Sequence, residues 1–356
     1  MEQKSVLIGM SGGVDSSVAA ALLKEQGYHV IGATMRLWTY SDSCNMKHEG
    51  CCAESAVEDA RRVCDKLGID FYVMNFKDMF KDKVVDYFVD EYIHGRTPNP
   101  CIACNKYLKF DALLKKALAM GIDYVATGHY ARIEKGEDGK YILRASEAVK
   151  KDQSYVLYNF TQEQLAHTLM PLGGYNKDWV RQKAEGLGLG VAHKPDSQEI
   201  CFVEDDDYAK FITDYSGYKP KEGDILDVNG NVIGKHRGLI YYTIGQRKGI
   251  GAYGRPMFVM KIDAENNTIT LGEKGMEFSN ELTAYDVNFV SGEFPKENML
   301  ITAKVRYQAP PAAAMLCPQK DGTVKLMFPE PQRAVTPGQA VVFYDGDIVL
   351  GGGTVL

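Results

Sequence analysis

The chain has 356 residues, of which 45% are hydrophobic and 25% are charged, and its formal net charge is −6. This length exceeds what a single hydrophobic core usually supports, so two or three domains are expected. The net negative charge argues against a protein that binds nucleic acid through its overall charge, although local basic surfaces stay open. No apolar run reaches about 18 residues, so no membrane-spanning helix is predicted.

The first ten residues contain a short apolar run before a Ser-Gly-Gly turn, which is typical of a buried strand and not of an export signal. Eight cysteines without such a signal predict a reducing compartment. We therefore expect a cytoplasmic protein whose thiols serve as nucleophiles, metal ligands or core residues.

Strand-like and helix-like patterns alternate over residues 1–130. Short apolar runs predict strands at Ser5–Met10, Val30–Met35, Phe71–Phe76 and Tyr124–Gly128. Apolar residues at helical spacing predict helices at Ser17–Gln26, Ala53–Leu67, Val84–Ile93 and Lys106–Met120. Such alternation predicts a parallel sheet covered on both faces, with ligands at the carboxyl ends of its strands.

The pattern changes after residue 205. Residues 150–205 are helical and loop-like, and the acidic run Glu204–Asp207 suggests a boundary. Short strands are then predicted at 227–233 around the hairpin signal Asn229-Gly230, and at Gly238–Ile244, Met257–Ile262 and Thr268–Leu271. We therefore predict an α/β domain at 1–205, a small mixed domain at 206–275 and a C-terminal β-barrel at 276–356, with a turn at Asp345–Asp347.

The strongest motif is Gly-Met-Ser-Gly-Gly-Val-Asp-Ser-Ser at residues 9–17, between the first strand and the first helix. Glycines permit a tight turn that brings backbone N–H groups against an anion, and the helix N-terminus adds its dipole. Asp15 would repel a phosphate unless a cation bridged the two, which predicts Mg²⁺. The spacing fits neither a Walker loop nor a dinucleotide fingerprint. The plain alternative is a tight turn with a capping side chain.

Three cysteines stand out beside this loop. Cys101 and Cys104 lie in a segment stiffened by two prolines, and Cys104 is predicted just before a helix, whose dipole favours a thiolate. Cys201 lies far away in sequence, in the polar segment 196–202. Replacing a carbonyl oxygen by sulfur needs an activated oxygen, a sulfur carrier and a second thiol that releases the sulfur by disulfide exchange. A phosphate-binding loop with thiols from two segments fits this chemistry.

Other roles for the cysteines stay open. A Cys-x-x-Cys pair is also half of many zinc sites, or a redox pair. Cys44, Cys51 and Cys52 lie in one region where a metal role is conceivable, whereas Cys64 and Cys317 are predicted to be structural.

Residues 9–17 resemble the pyrophosphate loop of the N-type ATP pyrophosphatases, which adenylate their substrates and release pyrophosphate. Further segments make the chain similar to the bacterial tRNA-specific 2-thiouridylase family. They are GRTPNPCIACNKYLKFD, ATGHYARI, KKDQSYVLY, DSQEICFV, GLIYYTIGQRKGIG and RYQAP. The resemblance implies an ATP-pyrophosphatase domain, a small central domain and a β-barrel. It also implies ATP-dependent 2-thiolation of the wobble uridine of tRNA.

The same resemblance implies a role for each matching residue. ATP would be bound by Gly9, Met10, Ser11, Gly12, Gly13, Val14, Asp15, Ser16, Met35 and Gly128. Cys104 would be the nucleophile and Cys201 the persulfide carrier. The target base and the tRNA would be contacted by Asn99, Pro100, Cys101, His129, Lys151, Asp152, Gln153, Arg306, Tyr307 and Gln339. The implied partners are the anticodon region of tRNA and, as sulfur donor, a cysteine desulfurase or a relay protein.

Position 101 departs from a common family pattern, because many members carry Asp where this chain has cysteine. Three thiols at one site, from Cys101, Cys104 and Cys201, could hold an iron–sulfur cluster and offer a route without a persulfide. The plainer interpretation is that Cys101 replaces a carboxylate as a weak acid or a spectator.

The segment Lys235–Lys261 is basic and free of acidic residues. Its cations are Lys235, Arg237, Arg247, Lys248, Arg255 and Lys261, interleaved with Tyr241, Tyr242 and Tyr253. Cations with exposed aromatics favour contact with RNA. The alternative is a solvated face above core tyrosines.

Two other functions fit part of the sequence. An ATP-dependent ligase or amidotransferase acting on a small molecule would use the loop but leave the thiols and the β-barrel without a role. A zinc- or cluster-binding RNA module without catalysis would leave residues 9–17 unexplained.

Overall fold

A five-stranded parallel sheet in the order β3-β2-β1-β4-β7 organises the N-terminal part of the chain. The computed structural model describes residues 3–38, 54–196, 200–203 and 206–356. The strands are β1 Ser5–Gly9, β2 His29–Arg36, β3 Asp70–Asn75, β4 Tyr124–Ala126 and β7 Thr168–Leu169. The strand order reverses direction between β1 and β4, and parallel sheets bind ligands at the carboxyl ends of strands beside such a point.

Helices cover both faces of this sheet, so the central residues Val6, Leu7 and Ile8 are fully buried. Helices α1 Val14–Glu25, α2 Glu54–Leu67 and α6 Lys177–Gly186 share one core with the sheet. Two longer helices, α3 over residues 77–93 and α4 over residues 100–119, form the core on the other face. Each contains a π-helical stretch, Lys81–Asp86 in α3 and Cys104–Ala112 in α4.

The start of α4 corrects the sequence-based prediction. Its first turn is Pro100–Ala103, and Asn99 caps it by accepting a hydrogen bond from the Cys101 backbone N–H at 3.1 Å. Proline suits a first helical position because its missing N–H needs no partner there. The helix predicted at Lys106 therefore begins six residues earlier, and Cys104 lies within it.

The middle of the chain forms a four-stranded sheet in the order β10-β11-β8-β9. Its strands are β8 Gly223–Leu226, β9 Val232–His236, β10 Met257–Asp263 and β11 Thr268–Glu273. The hairpin predicted at Asn229-Gly230 is confirmed, with Gly230 at φ +85°. The strand predicted at Gly238–Ile244 is wrong, because Leu239–Tyr241 form a buried 3-10 turn after Gly238 at φ +128°. Helix α7, Tyr208–Ser216, was not predicted.

Six antiparallel strands close into the C-terminal barrel, since β12 pairs with both β15 and β17. They are β12 Phe278–Phe289, β13 Met299–Lys304, β14 Ala312–Pro318, β15 Val324–Arg333, β16 Ala340–Asp345 and β17 Ile348–Val355. The predicted fold class is thereby confirmed. Within the described ranges, no helix is both long and apolar enough to span a membrane.

A hairpin from the N-terminal part extends the barrel sheet. Its strands are β5 Ala131–Lys135 and β6 Tyr141–Ala145, and β6 pairs with β17. Asp347, in the β16–β17 turn, binds Arg132 at 2.6 Å and Arg144 at 2.7 Å. The sequence did not predict this hairpin, which joins the α/β part to the barrel. Short helical segments follow at Val149–Lys151, Ser154–Leu157 and α5 Gln162–Ala166.

Candidate nucleotide and thiol site

The phosphate loop lies at the carboxyl end of β1 and leads into α1. Gly13 is the N-cap residue of α1 and has no side chain with which to cap it, so an anion can take the first N–H groups. The Ser16 hydroxyl accepts from the Ser11 backbone N–H at 3.2 Å and donates to the Gly13 carbonyl oxygen at 3.2 Å. Gly12 has φ +70°, and a Cβ there would overlap the carbonyl oxygen of Ala56 in α2. This tight loop, with no capping side chain at Gly13, is suited to receive phosphate.

Two predicted ATP residues lie at neighbouring strand ends. Gly128 follows β4, and a Cβ at this position would lie 2.7 Å from the Ser16 backbone nitrogen. The chain after β4 therefore presses against the start of α1, which only glycine permits. Met35 lies near the end of β2, where it pairs with Met74 of β3. The carboxyl edge of the sheet thus carries the phosphate loop, Met35 and Gly128.

Asp15 is held by partners from distant parts of the chain. Lys177 at the start of α6 donates to both carboxylate oxygens, at 2.9 and 2.8 Å, and the Tyr130 hydroxyl donates to Oδ1 at 2.7 Å. Burial, and then the charge of Asp15, raise the pKa of Tyr130, which stays a donor. Among the described residues, the ammonium group of Lys177 is thus a cation beside Asp15, and a Mg²⁺ ion that also binds this carboxylate stays a prediction.

Lys177 also contacts a second carboxylate. Its Nζ lies 2.6 Å from Asp196 Oδ1, while Lys151 binds Asp196 Oδ2 at 2.6 Å and Arg181 binds Oδ1 at 3.2 Å. Burial alone would raise the pKa of Asp196, but the ammonium groups of Lys151 and Lys177 lower it, so this carboxyl is ionised at neutral pH. Asp196 begins the segment that leads to Cys201.

Cys101 and Cys104 occupy different environments on α4. Cys101 is exposed in the first turn, whereas Cys104 is buried and starts the π-helical stretch. Because the field of a helix end fades within one turn, the dipole effect predicted for Cys104 applies more directly to Cys101. Asn99 lines a cavity of about 360 Å³ together with Lys106, but neither Cys101 nor Cys104 contributes to the lining.

Cys201 packs against the same hydrophobic cluster that contains Cys104 and the fully buried Phe202. The close approach of the two sulfur atoms that sulfur transfer requires stays a prediction.

Across the described ranges, no group of three or more His, Cys, Asp or Glu side chains is placed to hold a metal ion. The residues Cys44, Cys51 and Cys52 lie outside the described residues. Burial raises the pKa of Cys64 to about 12, as expected for a structural thiol.

Three family models match the chain in order. They are described as tRNA methyl transferase HUP domain at residues 4–205, tRNA methyl transferase PRC-barrel domain at 209–273 and aminomethyltransferase beta-barrel domain at 279–355. A protein of Acetivibrio thermocellus named tRNA-specific 2-thiouridylase MnmA is 59% identical over 358 residues, which covers 100% of both chains. A protein of Clostridioides difficile with the same name is 58% identical, over 99% of this chain and 98% of that one. The chain belongs to the tRNA-specific 2-thiouridylase family.

The family expected from the sequence motifs is therefore confirmed. Among solved structures, a 4-thiouridine synthetase–RNA complex with bound ATP is 18% identical with a TM-score of 0.37, covering 56% of this chain and 45% of that chain. A likeness this weak supports no conclusion about function.

Several residues that the thiouridylase resemblance assigned to tRNA make contacts within the protein. Asp152 accepts from the Ser154 hydroxyl at 2.8 Å, and Gln153 Oε1 accepts from the Tyr130 backbone N–H at 3.0 Å. Lys151 binds Asp196. His129 Nδ1 lies 2.8 Å from the Thr127 hydroxyl, and burial, then Lys109, lower the pKa of His129 well below its usual value. His129 is therefore neutral at pH 7, and tRNA contact by these residues stays a prediction.

The barrel holds the chain that leads into α4. Gln339 Nε2 donates to the Thr97 carbonyl oxygen at 2.8 Å, and the Thr97 N–H donates to Pro337 at 2.9 Å. Gln339 and Pro337 of the barrel part therefore hold Thr97, four residues before Cys101, by hydrogen bonds. Arg306 is also on the barrel, where it donates to the Arg333 carbonyl oxygen at 3.2 Å.

Tyr307 connects the barrel with the predicted tRNA segment. Its hydroxyl donates to the Asp152 carbonyl oxygen at 3.2 Å. Burial raises the pKa of Tyr307, and the charge of Asp152 adds to the effect. Lys304 lies 5.8 Å from the Tyr307 ring, and burial lowers the pKa of Lys304.

The basic segment 235–261 is only partly as predicted. Lys235, Arg255 and Lys261 form ion pairs with Asp224, Glu273 and Asp263. Tyr242 is buried in the core, and Arg237 lies 4.1 Å from the Tyr241 ring. Arg247 and Lys248 are exposed. The surface available to RNA is therefore narrower than the sequence suggested.

Sequence reasoning missed four residues of this region, Lys177, Tyr130, Asp196 and Lys304. Tyr130 and Asp196 lie in segments that match the family, but their residue types alone gave no role. Lys177 carried no local signal, because its partners are far away in sequence.

Proposed function

We propose that the protein uses ATP to replace the C2 oxygen of the wobble uridine in tRNA by sulfur. The observation that carries this proposal is the 59% identity, across the whole chain, to a protein named tRNA-specific 2-thiouridylase MnmA. The phosphate loop and the thiols of two separate segments supply chemistry that suits such a reaction.

The first step activates the base. The uridine O2 attacks the α-phosphorus of ATP, the bond to the bridging oxygen breaks, and pyrophosphate leaves. Within the loop Gly9–Ser16, the backbone N–H groups at the start of α1 that follow Ser11 stabilise the negative charge on the phosphates. Met35 and Gly128 border the nucleotide at the adjacent strand ends.

The site can offer Mg²⁺ one protein ligand, the Asp15 carboxylate. A carboxylate has about four lone-pair positions, so Asp15 can still give one to a cation while it accepts from Lys177 and Tyr130. Mg²⁺ commonly takes one or two carboxylates and completes its shell with phosphates and water. Asp15 would be the residue that holds Mg²⁺, and the ion would supply positive charge to neutralise the pyrophosphate.

The second step transfers sulfur. The terminal sulfur of a Cys201 persulfide attacks C2, and AMP leaves with the former O2. The Cys104 thiolate attacks Cys201 Sγ, the sulfur–sulfur bond breaks, and the transferred sulfur keeps the electron pair as a thiocarbonyl. A disulfide between Cys104 and Cys201 is the oxidised product. An external thiol reductant must reduce it before the next turnover.

The persulfide comes from a cysteine desulfurase or from a relay protein that hands on its sulfur. Cys101, exposed at the start of α4, borders the target base beside Asn99 and Pro100. This route needs no metal cluster at Cys101, Cys104 and Cys201. The tRNA, through its anticodon region, contacts the exposed pair Arg247 and Lys248. It also contacts the residues assigned by the family resemblance, His129, Lys151, Asp152, Gln153, Arg306, Tyr307 and Gln339.

A small-molecule ligase would share the phosphate loop but not the full-length match to relatives named for tRNA thiolation. Two of the family models carry the words methyl transferase in their descriptions. Thiolation and methylation require different co-substrates and give nucleosides of different mass. Mass spectrometry of the product nucleosides therefore separates the two reactions.

The test is a reaction with purified protein, unmodified tRNA, ATP and a persulfide donor. We expect AMP and pyrophosphate in a tRNA-dependent manner, together with 2-thiouridine. ADP and phosphate as products would contradict adenylation. If protein purified anaerobically needs bound iron for activity, this result would favour sulfur transfer through an iron–sulfur cluster over transfer through a persulfide.

A further inference from the structure

Lys304 is a half-buried lysine at the end of barrel strand β13. The alternate residues Ile301, Ala303 and Val305 pack in the barrel core, so Lys304 points to the outer face of the barrel. There its backbone pairs with Val342 of β16, which belongs to the core between the barrel and the N-terminal part. Lys304 therefore lies at the junction of these two parts of the chain.

Two tyrosine rings flank the ammonium group of Lys304. Its Nζ lies 6.0 Å from the ring centroid of Tyr155 and 5.8 Å from that of Tyr307. The two rings pack edge to face, with their centroids 5.8 Å apart. The Tyr155 hydroxyl donates to the Ala340 carbonyl oxygen at 2.7 Å, and the Tyr307 hydroxyl donates to the Asp152 carbonyl oxygen at 3.2 Å. These hydrogen bonds fix both rings beside the ammonium group.

Within the described ranges, Lys304 forms no ion pair with an acidic side chain. The Asp152 carboxylate is engaged elsewhere, because it accepts from the Ser146 N–H at 3.0 Å and from the Ser154 N–H and hydroxyl at 3.1 and 2.8 Å. Burial lowers the pKa of Lys304, and the charge of Asp152 offsets this effect only in part. Aromatic rings attract a cation less strongly than a counter-ion does, so this position favours the arrival of an anion.

The surface around Lys304 belongs to the predicted tRNA site. Asp152, Arg306 and Tyr307 are assigned to tRNA by the family resemblance, and the Tyr307 side chain is 39% exposed. The alternation of buried residues continues past β13, so Arg306 follows Lys304 on the outer face of the barrel. RNA carries a phosphate at each nucleotide, and the lysine ammonium binds phosphate as a point charge. The anion that suits this position is therefore an RNA phosphate.

We propose that Lys304 binds a backbone phosphate of tRNA at the junction of the barrel and the 151–157 segment. The phosphate supplies the counter-ion that the described residues do not, and it favours the charged form of the amine. Lys304 then holds the RNA against both parts of the protein at once. This inference rests on the proposed function, because it takes tRNA as the substrate.

The experiment measures the affinity of the full chain for unmodified tRNA by fluorescence anisotropy at several salt concentrations. Lys304→Met keeps an unbranched side chain against the tyrosine rings but removes the charge. We expect it to weaken binding roughly fivefold at low salt and to reduce the slope of log affinity against log salt by about 0.7 to 0.9, the value for one lost phosphate contact. Lys304→Arg keeps the charge and should retain most of the affinity and of the slope.

Two controls separate a phosphate contact from a change of net charge or of fold. Lys320→Met removes the same charge from an exposed position in the turn between β14 and β15, and it should change the affinity less than about twofold. The urea midpoint of each variant reports the fold. In thiolation assays, Lys304→Met should raise the KM for tRNA and leave kcat unchanged, because the lost contact holds the substrate and takes no part in the chemical steps.

The proposal is overturned if Lys304→Met binds tRNA like the wild type, or if it binds more weakly with an unchanged salt slope. A lowered urea midpoint together with weaker binding in Lys304→Arg also overturns it, because the role of Lys304 would then be structural. A wild-type protein that binds no tRNA refutes this inference and the proposed function together. Normal thiolation with unchanged binding in Lys304→Met refutes the inference alone. The expected change in affinity and slope, without 2-thiouridine from the wild type, supports the phosphate contact and refutes the proposed function alone.

Discussion

Cys104 and Cys201 have separate roles in the proposed sulfur transfer, so each can be removed on its own. Cys201→Ser should abolish 2-thiouridine formation with a persulfide donor, because no sulfur can be carried to the base. Adenylation of tRNA, measured as AMP and pyrophosphate, should continue, since that step uses the phosphate loop. Cys317→Ser, in barrel strand β14, is the matched control and should keep both activities. Normal thiolation by Cys201→Ser would disprove the carrier role.

Asp123 links the starts of two sheet strands and provides a pH test. It accepts from Lys4 Nζ at 2.5 Å and from the Ser5 N–H and hydroxyl, each at 2.9 Å. These hydrogen bonds lower the pKa of Asp123 to about 2. Because the folded-state pKa is lowered, the ionised carboxyl stabilises the fold above its ordinary value of 3.8, and this contribution is lost as the pH falls toward 2.

We therefore expect Asp123→Asn to lower the urea midpoint slightly at pH 7, with a difference from wild type that shrinks from pH 4 downward. Glu137→Gln, an exposed carboxylate in the β5–β6 turn, controls for the loss of one surface charge. A difference for Asp123→Asn that stays constant down to about pH 2 would show that ionisation is not its cause.

Single residues also mark the limit of sequence-based prediction. The loop at residues 9–17 could be predicted because its glycines, its serines and the strand before it are local signals. The partner of Asp15 could not, since Lys177 lies 162 residues away and reaches it only through the packing of α6 on α1. The position of Cys104 inside a helix was missed for a local reason, because Asn99 caps the helix and Pro100 begins it.

At the scale of elements, the contact between the end of β4 and the start of α1 fixes the phosphate loop. Gly128→Ala should push on the Ser16 backbone nitrogen and displace the N–H groups that face phosphate. ATP turnover should fall by about tenfold or more, with a higher KM for ATP. Gly186→Ala, on α6 with no atom within 4 Å of the added Cβ, is the control. Unchanged ATP kinetics in Gly128→Ala would argue against this placement of the nucleotide.

The elements themselves were predicted unevenly, and for physical reasons. Strands with several buried apolar residues, such as β1 and β2, gave clear signals. The run at 238–244 also looks like a strand, but Leu239 and Ile240 are apolar because a turn is buried there. The β5–β6 pairing is local, across a turn that contains Gly136 and Gly139, and it was not predicted. Only the pairing of β6 with β17 joins distant parts of the chain.

At the scale of the whole molecule, the barrel braces the α4 start. Gln339→Ala removes the hydrogen bond to the Thr97 carbonyl oxygen. We expect thiolation to fall several-fold, because one partly buried hydrogen bond contributes about 1 kcal/mol. The KM for ATP should not change, since the phosphate loop is untouched. Gln319→Ala, which removes an exposed contact to Cys317, is the control. If Gln339→Ala weakened ATP binding as much as it slowed thiolation, this result would contradict the view that the barrel contact affects thiolation but not the phosphate loop.

The central claim is that this chain thiolates the wobble uridine of tRNA. The most direct measurement is nucleoside mass spectrometry of tRNA from a bacterial strain that lacks its own 2-thiouridylase and expresses this chain. We predict that 2-thiouridine derivatives return with the wild-type chain and not with Cys201→Ser. Absence of 2-thiouridine with well-folded wild-type protein and a competent sulfur donor, or a gain of methylated uridine in its place, would contradict the account.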